Sequence, residues 1–172
     1  MNAPAVVTSD DRAPSESAPP LTVDLAILSR LLADTLAAEG IPARAEVSLT
    51  LVDSADIAAL KVEHLGGDGT ATDVLSFPID GPGPVDEAEP WLVGDVVIAP
   101  EVAAAQAPDH AGTTEDELAL LVVHGGLHLC GWDHATPGEE SEMWTREREL
   151  LTGFGRVFVR DPWADEDPAG RP

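Results

Sequence analysis

Three of the chain's five histidines fall within eleven residues, His124-Gly-Gly-Leu-His128-Leu-Cys-Gly131-Trp-Asp-His134, at H-x3-H-x5-H spacing. Residues four apart on an α-helix lie about 6 Å apart along its axis and share a face, so a helix here stacks His124 over His128. Gly131 suits a left-handed turn that ends the helix and swings His134 back toward the same point. Three imidazoles on one point leave the fourth position of a tetrahedral ion open, the layout of a catalytic rather than a structural zinc site. A closed structural site with a fourth ligand is the alternative.

The rest of the chain must supply a scaffold for that helix. Asp24 to Glu39 carries apolar residues at Leu25, Leu28, Leu31, Leu32 and Leu36, a helical stripe closed by Gly40. Ala45 to Val52 alternates with period two and predicts a strand. Ser54 can cap a helix running to about Leu65. Thr72–Pro78 and Leu92–Ile98 predict two further strands, joined by the Gly- and Pro-rich acidic stretch 81–90. A short Ala-rich helix follows Pro100. Thr114-Glu-Asp-Glu117 predicts a capping box opening the metal helix, and Thr136-Pro-Gly-Glu139 predicts another, opening a last helix to about Leu151. Strands interleaved with helices give an α+β fold, a small mixed β-sheet flanked by helices, with a zincin-like metal helix.

Residues 1–20, rich in Pro, Ser, Ala and Asp, predict a disordered leader, and 161–172 a disordered acidic tail. Residues 21–160 are then a single catalytic metal-binding domain. Cys130 is the one cysteine, which excludes an internal disulfide and fits a reducing compartment. No apolar run approaches the roughly 20 residues of a membrane span, and the N-terminus lacks a signal-peptide pattern. A cytoplasmic protein without membrane contact is expected.

The net charge of −23 argues against polyanionic partners. The two predicted tails carry only −2 and −3 of it, so the acidity belongs to the body. Four of the nine Lys and Arg fall just after the histidine motif, at Arg146, Arg148, Arg156 and Arg160. Surface pairing with neighbours such as Glu147 and Glu149 is one reading. The other is a local phosphate-binding patch, with Arg146, Arg148 and Arg156 as candidate nucleic-acid contacts.

The histidine spacing equals that of the metzincin peptidases, H-E-x-x-H-x-x-G-x-x-H, including the turn glycine. Where those enzymes place the glutamate that takes a proton from water, this chain has Gly125. A metallopeptidase using another base therefore stays only as an alternative. Gly125 and Gly126 each cost a helix roughly 1 kcal/mol relative to alanine. Close approach of a neighbouring strand or of substrate backbone is the expected compensation.

The whole motif, His124 to His134, closely resembles the H-G-x-L-H-L-x-G-[YW]-D-H signature of the YbeY family of endoribonucleases. Thr72–Pro78 is similar to that family's second signature, Gly94–Ile98 to its following strand, and Glu117–Val123 to the lead into the histidines. The resemblance covers roughly residues 45–151 and includes Met143, nine residues past His134. It implies that His124, His128 and His134 bind one divalent metal, usually zinc (Zn2+), with another divalent ion possible. It implies a four-stranded mixed sheet. It further implies single-strand-specific cleavage in maturation of the small-subunit rRNA 3′ end and in ribosome quality control. Ribosomal RNA and the small ribosomal subunit or its proteins are the implied partners. One departure is that the stretch Glu63–Ala71 lacks the arginine many members carry before the second signature. A ribosome-associated factor with a purely structural metal is the other alternative.

The catalytic group is left to a water on the metal, with Asp133 a candidate for orienting His134 or another ligand, or else for capping the turn. Cys130, two residues past His128, points away from the histidine face and is expected to pack. Trp132 is expected to anchor the helix end rather than stack a base, and Met143 to pack in the core. His64 and His110 are expected to be solvated.

Overall fold

A computed structural model describes residues 2–14 and 19–164. Four strands form one sheet, β1 (Ala5–Asp10), β2 (Ala45–Leu51), β3 (Val74–Pro78) and β4 (Trp91–Ile98), in the order β1-β2-β4-β3. β1, β2 and β4 are parallel, and β3 closes the far edge antiparallel to β4. Among the described residues five α-helices pack around it: α1 (Leu25–Ala38), α2 (Ser54–Leu65), α3 (Pro100–Gln106), α4 (Thr114–Leu129) and α5 (Pro137–Gly153). The α+β class and mixed sheet therefore stand as read from the sequence.

The larger core lies on one face of the sheet. Val47, Leu49 and Leu51 of β2 and Val93, Val96 and Ile98 of β4 meet Leu28, Leu32 and Leu36 of α1 and the apolar length of α4. On the other face Ile57 of α2 packs with Val52, Leu75, Val97 and Ala99 in a smaller cluster. The histidine-bearing helix α4 is thus sandwiched between sheet, α1 and α5, and its Leu118 to Val123 run is buried almost all round. That explains its lack of a clean amphipathic stripe.

Both ends depart from the expected disorder. Residues 5–10 form β1, paired along its length with β2 from Ala5–Glu46 to Asp10–Leu51. Only Val6 and Ser9 of the strand are half-buried, at a spacing that breaks the period of two, so this edge strand carried no alternating signal. At the other end Trp163 belongs to the core, inside the segment read as an acidic tail. Residues 1 and 15–18 of the predicted leader and 165–172 of the predicted tail lie outside the described residues.

The cap of α4 also differs by one position. Thr113, not Thr114, accepts the N–H of Asp116 at 3.1 Å. Glu117, read as the reciprocal partner, instead turns inward and accepts from His110 Nδ1 at 2.9 Å and from the Ala111 N–H at 3.2 Å. The second capping box, Thr136 with Glu139, is formed as read. Among the described residues no helix is long and apolar enough to cross a membrane.

Candidate metal centre

α4 carries His124 and His128 on one face, and their Nε2 atoms lie 3.0 Å apart. The helix ends at Cys130, Gly131 takes the left-handed turn with φ +92°, and the chain doubles back to His134. The third ring lies with its centroid 5.4 Å from that of His124 and 4.9 Å from that of His128. One nitrogen from each of the three histidines falls within a group spanning at most 4.8 Å, an arrangement that can hold a metal ion. His134 is exposed while the other two are half-buried, so the group opens to solvent on the His134 side.

The two glycines are explained by their neighbours. A methyl at Gly125 would meet Val96 Cγ1 at 2.9 Å and Ser76 Oγ at 3.1 Å, and Ser76 donates its hydroxyl to the Gly125 carbonyl at 3.1 Å. A methyl at Gly126 would meet Leu32 Cδ1 at 3.0 Å and Thr35 Cγ2 at 3.2 Å. The expected strand approach is therefore real at Gly125, while Gly126 lets α1 approach. Position 125 faces the sheet, so a glutamate side chain has no room there.

Hydrogen bonds fix which nitrogens face the cluster. The Trp132 carbonyl can only accept, so His128 must carry its proton on Nδ1, 2.9 Å away. Nδ1 of His124 faces the Glu147 carboxylate at 2.5 Å, likewise as the donor. In the neutral rings both Nε2 atoms then present bare lone pairs to each other at 3.0 Å. Two lone pairs at that distance repel, and a cation between them removes the conflict. The spacing is close to the about 3.3 Å that two nitrogens adopt on a tetrahedral zinc ion. His128 is also held below the ordinary histidine range, first by burial and then by the adjacent His124, which favours the metal-binding neutral form. The donor set fits a divalent cation.

Glu147, read from the sequence as a surface partner for the arginines, instead turns inward to His124 and Trp163. It is 2% exposed and sits on α5 in the core stripe with Met143, Leu150 and Leu151. An acid at a core position of a helical stripe was the available signal. Asp133, the sequence candidate for an orienting role, instead accepts the His134 backbone N–H at 2.8 Å and so caps the turn. Met143 is fully buried, as expected. Cys130 stands outside the histidine group, and burial followed by the nearby Glu39 pushes its thiol up to about 12. Trp132 packs against the core and donates its indole N–H to Glu39 at 2.8 Å. His110, expected to be solvated, is held by the buried Glu117. His64 stands edge-on to Phe77 with ring centroids 5.2 Å apart.

The three candidate arginines each engage a carboxylate. Arg146 binds Glu39 at 2.7 Å and Glu149 at 3.2 Å, Arg148 binds Asp161 at 3.6 Å, and Arg156 binds Asp116 at 3.4 Å. This is the surface-pairing pattern. Beside His124 opens a cleft of about 630 Å³, walled by Trp144 and Trp163 and by the carboxylates of Asp73, Asp109, Glu117 and Glu147. None of the three arginines lines it.

Fold and site together define an α+β protein that presents an open three-histidine group on a zincin-like helix, with glycine and not glutamate following the first histidine in the chain. Comparison with known proteins makes the class specific. The family model for endoribonuclease YbeY matches residues 21–155. The endoribonuclease YbeY of Kineococcus radiotolerans is 45% identical over 136 residues, 77% of this chain and 76% of that protein. That of Leifsonia xyli subsp. xyli is 46% identical over 139 residues, 79% of this chain and 90% of the relative. The chain belongs to the endoribonuclease YbeY family. The solution structure of TM1509 from Thermotoga maritima shares the fold, with a TM-score of 0.51 over 96% of this chain and 99% of that one, at 22% identity.

Proposed function

We propose that the protein is a zinc-dependent, single-strand-specific endoribonuclease that matures the 3′ end of small-subunit rRNA and serves ribosome quality control. One ion per chain is held by His124, His128 and His134. The observation that carries the reading is the pair of bare Nε2 atoms 3.0 Å apart, each fixed by a hydrogen bond on its far nitrogen. When bound, zinc supplies Lewis acidity and makes water a competent nucleophile near neutral pH.

The chain's own residues do the rest. Glu147 and the Trp132 carbonyl hold the first two imidazoles in one tautomer and orientation. Gly131 and the Asp133 cap hold the turn that presents His134. The solvent-facing side of the group admits a single strand, whose bases can enter the cleft walled by Trp144 and Trp163. Gly125 packs on the sheet and leaves no glutamate at the chain position that follows the first histidine, which argues against peptide hydrolysis by the metzincin route. The exposed third histidine argues against a closed structural site.

The test is cleavage of a precursor small-subunit rRNA by the protein as prepared, after chelation, and after zinc is restored. The reading expects activity, loss and recovery in that order. Cleavage unaffected by chelation overturns it. Products ending in 2′,3′-cyclic phosphate assign attack to the ribose hydroxyl, and 3′-phosphate or 3′-hydroxyl ends formed without a cyclic intermediate assign it to water.

A further inference from the structure

Glu147 is not the last member of the chain of contacts behind His124. Its Oε1 accepts from His124, and its Oε2 accepts the indole N–H of Trp163 at 3.1 Å. Trp163 lies beyond the last helix and is 9% exposed. Its ring meets Phe158 edge-on at 5.4 Å, and the Arg148 guanidinium sits 5.0 Å from its centroid. Arg148 in turn reaches Asp161 at 3.6 Å, and Asp161 accepts the Trp163 backbone N–H at 2.9 Å. The indole is therefore held from several sides with its N–H aimed at the carboxylate.

We propose that Trp163 is a positioning residue of the metal centre, acting through Glu147 to fix the ring of His124. The inference rests on the reading above that the three histidines bind a metal. Its physical basis is the freedom of a carboxylate. The terminal torsion of a glutamate is broad, so one hydrogen bond to His124 leaves the carboxylate plane free to swing. A second donor on the other oxygen pins the plane, and the plane pins the imidazole. Without Trp163 the buried Oε2 would also lose its partner, at a site where an unmatched acceptor is costly. Packing alone requires only an aromatic ring at 163; the directed N–H is the additional feature.

Two substitutions separate packing from positioning. Trp163→Phe keeps a ring for Phe158 and Arg148 and deletes the donor. Glu147→Gln keeps the shape, but its amide must turn an NH2 toward either His124 Nδ1–H or Trp163 Nε1–H, so one donor faces another. Cobalt(II) alone is titrated into the metal-free full chain and followed by its ligand-field absorption. Loss of an outer partner typically costs about 10–100-fold in affinity, so Glu147→Gln should fall in that range and Trp163→Phe, one bond further out, near threefold to tenfold. The double variant should be no weaker than Glu147→Gln alone, because Trp163 acts only through that carboxylate.

A Trp163→Phe protein with wild-type cobalt affinity and an unchanged spectrum overturns the inference and leaves the metal reading intact. So does a double variant in which the two losses multiply. A wild-type chain that binds no cobalt removes the metal reading and this inference together. Hydrogen exchange on the unsubstituted metal-free protein gives a check independent of either variant. The Trp163 Nε1–H should be strongly protected, and exchange at the rate of a free indole overturns the proposal.

Discussion

At the scale of single residues, Gly125 shows how a signature position is set by packing. Its spacing counterpart in metzincins is a base, but here the missing side chain is what lets α4 lie on β4 beside Val96 and Ser76. Alanine would gain about 1 kcal/mol of helix propensity. It would also press on a β-branched residue of a central strand, which has little room to give. Gly125→Ala is therefore expected to destabilise the protein by about 1–2 kcal/mol net, read from denaturant unfolding. A stabilised variant would show that the strand yields. Cys130 gives a second expectation. Its folded thiol is raised to about 12 from an ordinary 9.0, so its contribution to stability is complete below pH 9.0. It is lost as pH rises from 9.0 toward 12, because only the unfolded chain ionises there. Native protein at pH 8 should alkylate far more slowly than unfolded protein, and equal rates would refute the burial argument. The histidines were legible in the sequence because their spacing is that of a metal-binding motif. Glu147 and Trp163 were not, because their roles depend on which helix face is buried and on where the chain goes after α5.

At the scale of elements, most of the fold was legible. β2, β3, β4 and all five helices follow from period-two or helical patterning and from Gly, Pro and capping residues near their ends. β1 was hidden by its neighbours, since Val6, Val7 and Thr8 are strand formers set in a run rich in Pro, Ser and Asp. Its stability comes from the parallel ladder to β2 and from Val6 on the core, neither of which is a local property. The guanidinium of Arg12 beside Asp10 then holds that carboxyl below the usual range and secures the strand's end. Deleting residues 1–11 should lower the unfolding free energy by about 2–3 kcal/mol, chiefly from lost apolar burial and ladder bonds. An unchanged unfolding curve would return this segment to the disordered leader its composition suggests. The α4 cap is a smaller instance of the same point. Thr113 and Thr114 are both capping residues, and the burial of Glu117 against His110 decided between them.

At the scale of the whole molecule, the acidity and the proposed substrate must be reconciled. The chain is −23, and the cations offered by the sequence as a phosphate patch are spent on carboxylates. Binding of single-stranded RNA should accordingly show a shallow dependence on salt, with a slope reflecting about one to three phosphates at roughly 0.7 each. A slope for six or more would reveal a cationic surface that these ion pairs do not provide. On the proposed reading, recognition falls on the histidine group and the cleft of tryptophans and acidic residues beside it rather than on long-range attraction. The most direct test of that account measures zinc content and rRNA cleavage on the same preparations of wild type, His124→Ala, His128→Ala and His134→Ala. The account predicts one zinc per wild-type chain, with zinc and cleavage lost together in each variant. Full cleavage by a metal-free His128→Ala protein would contradict it.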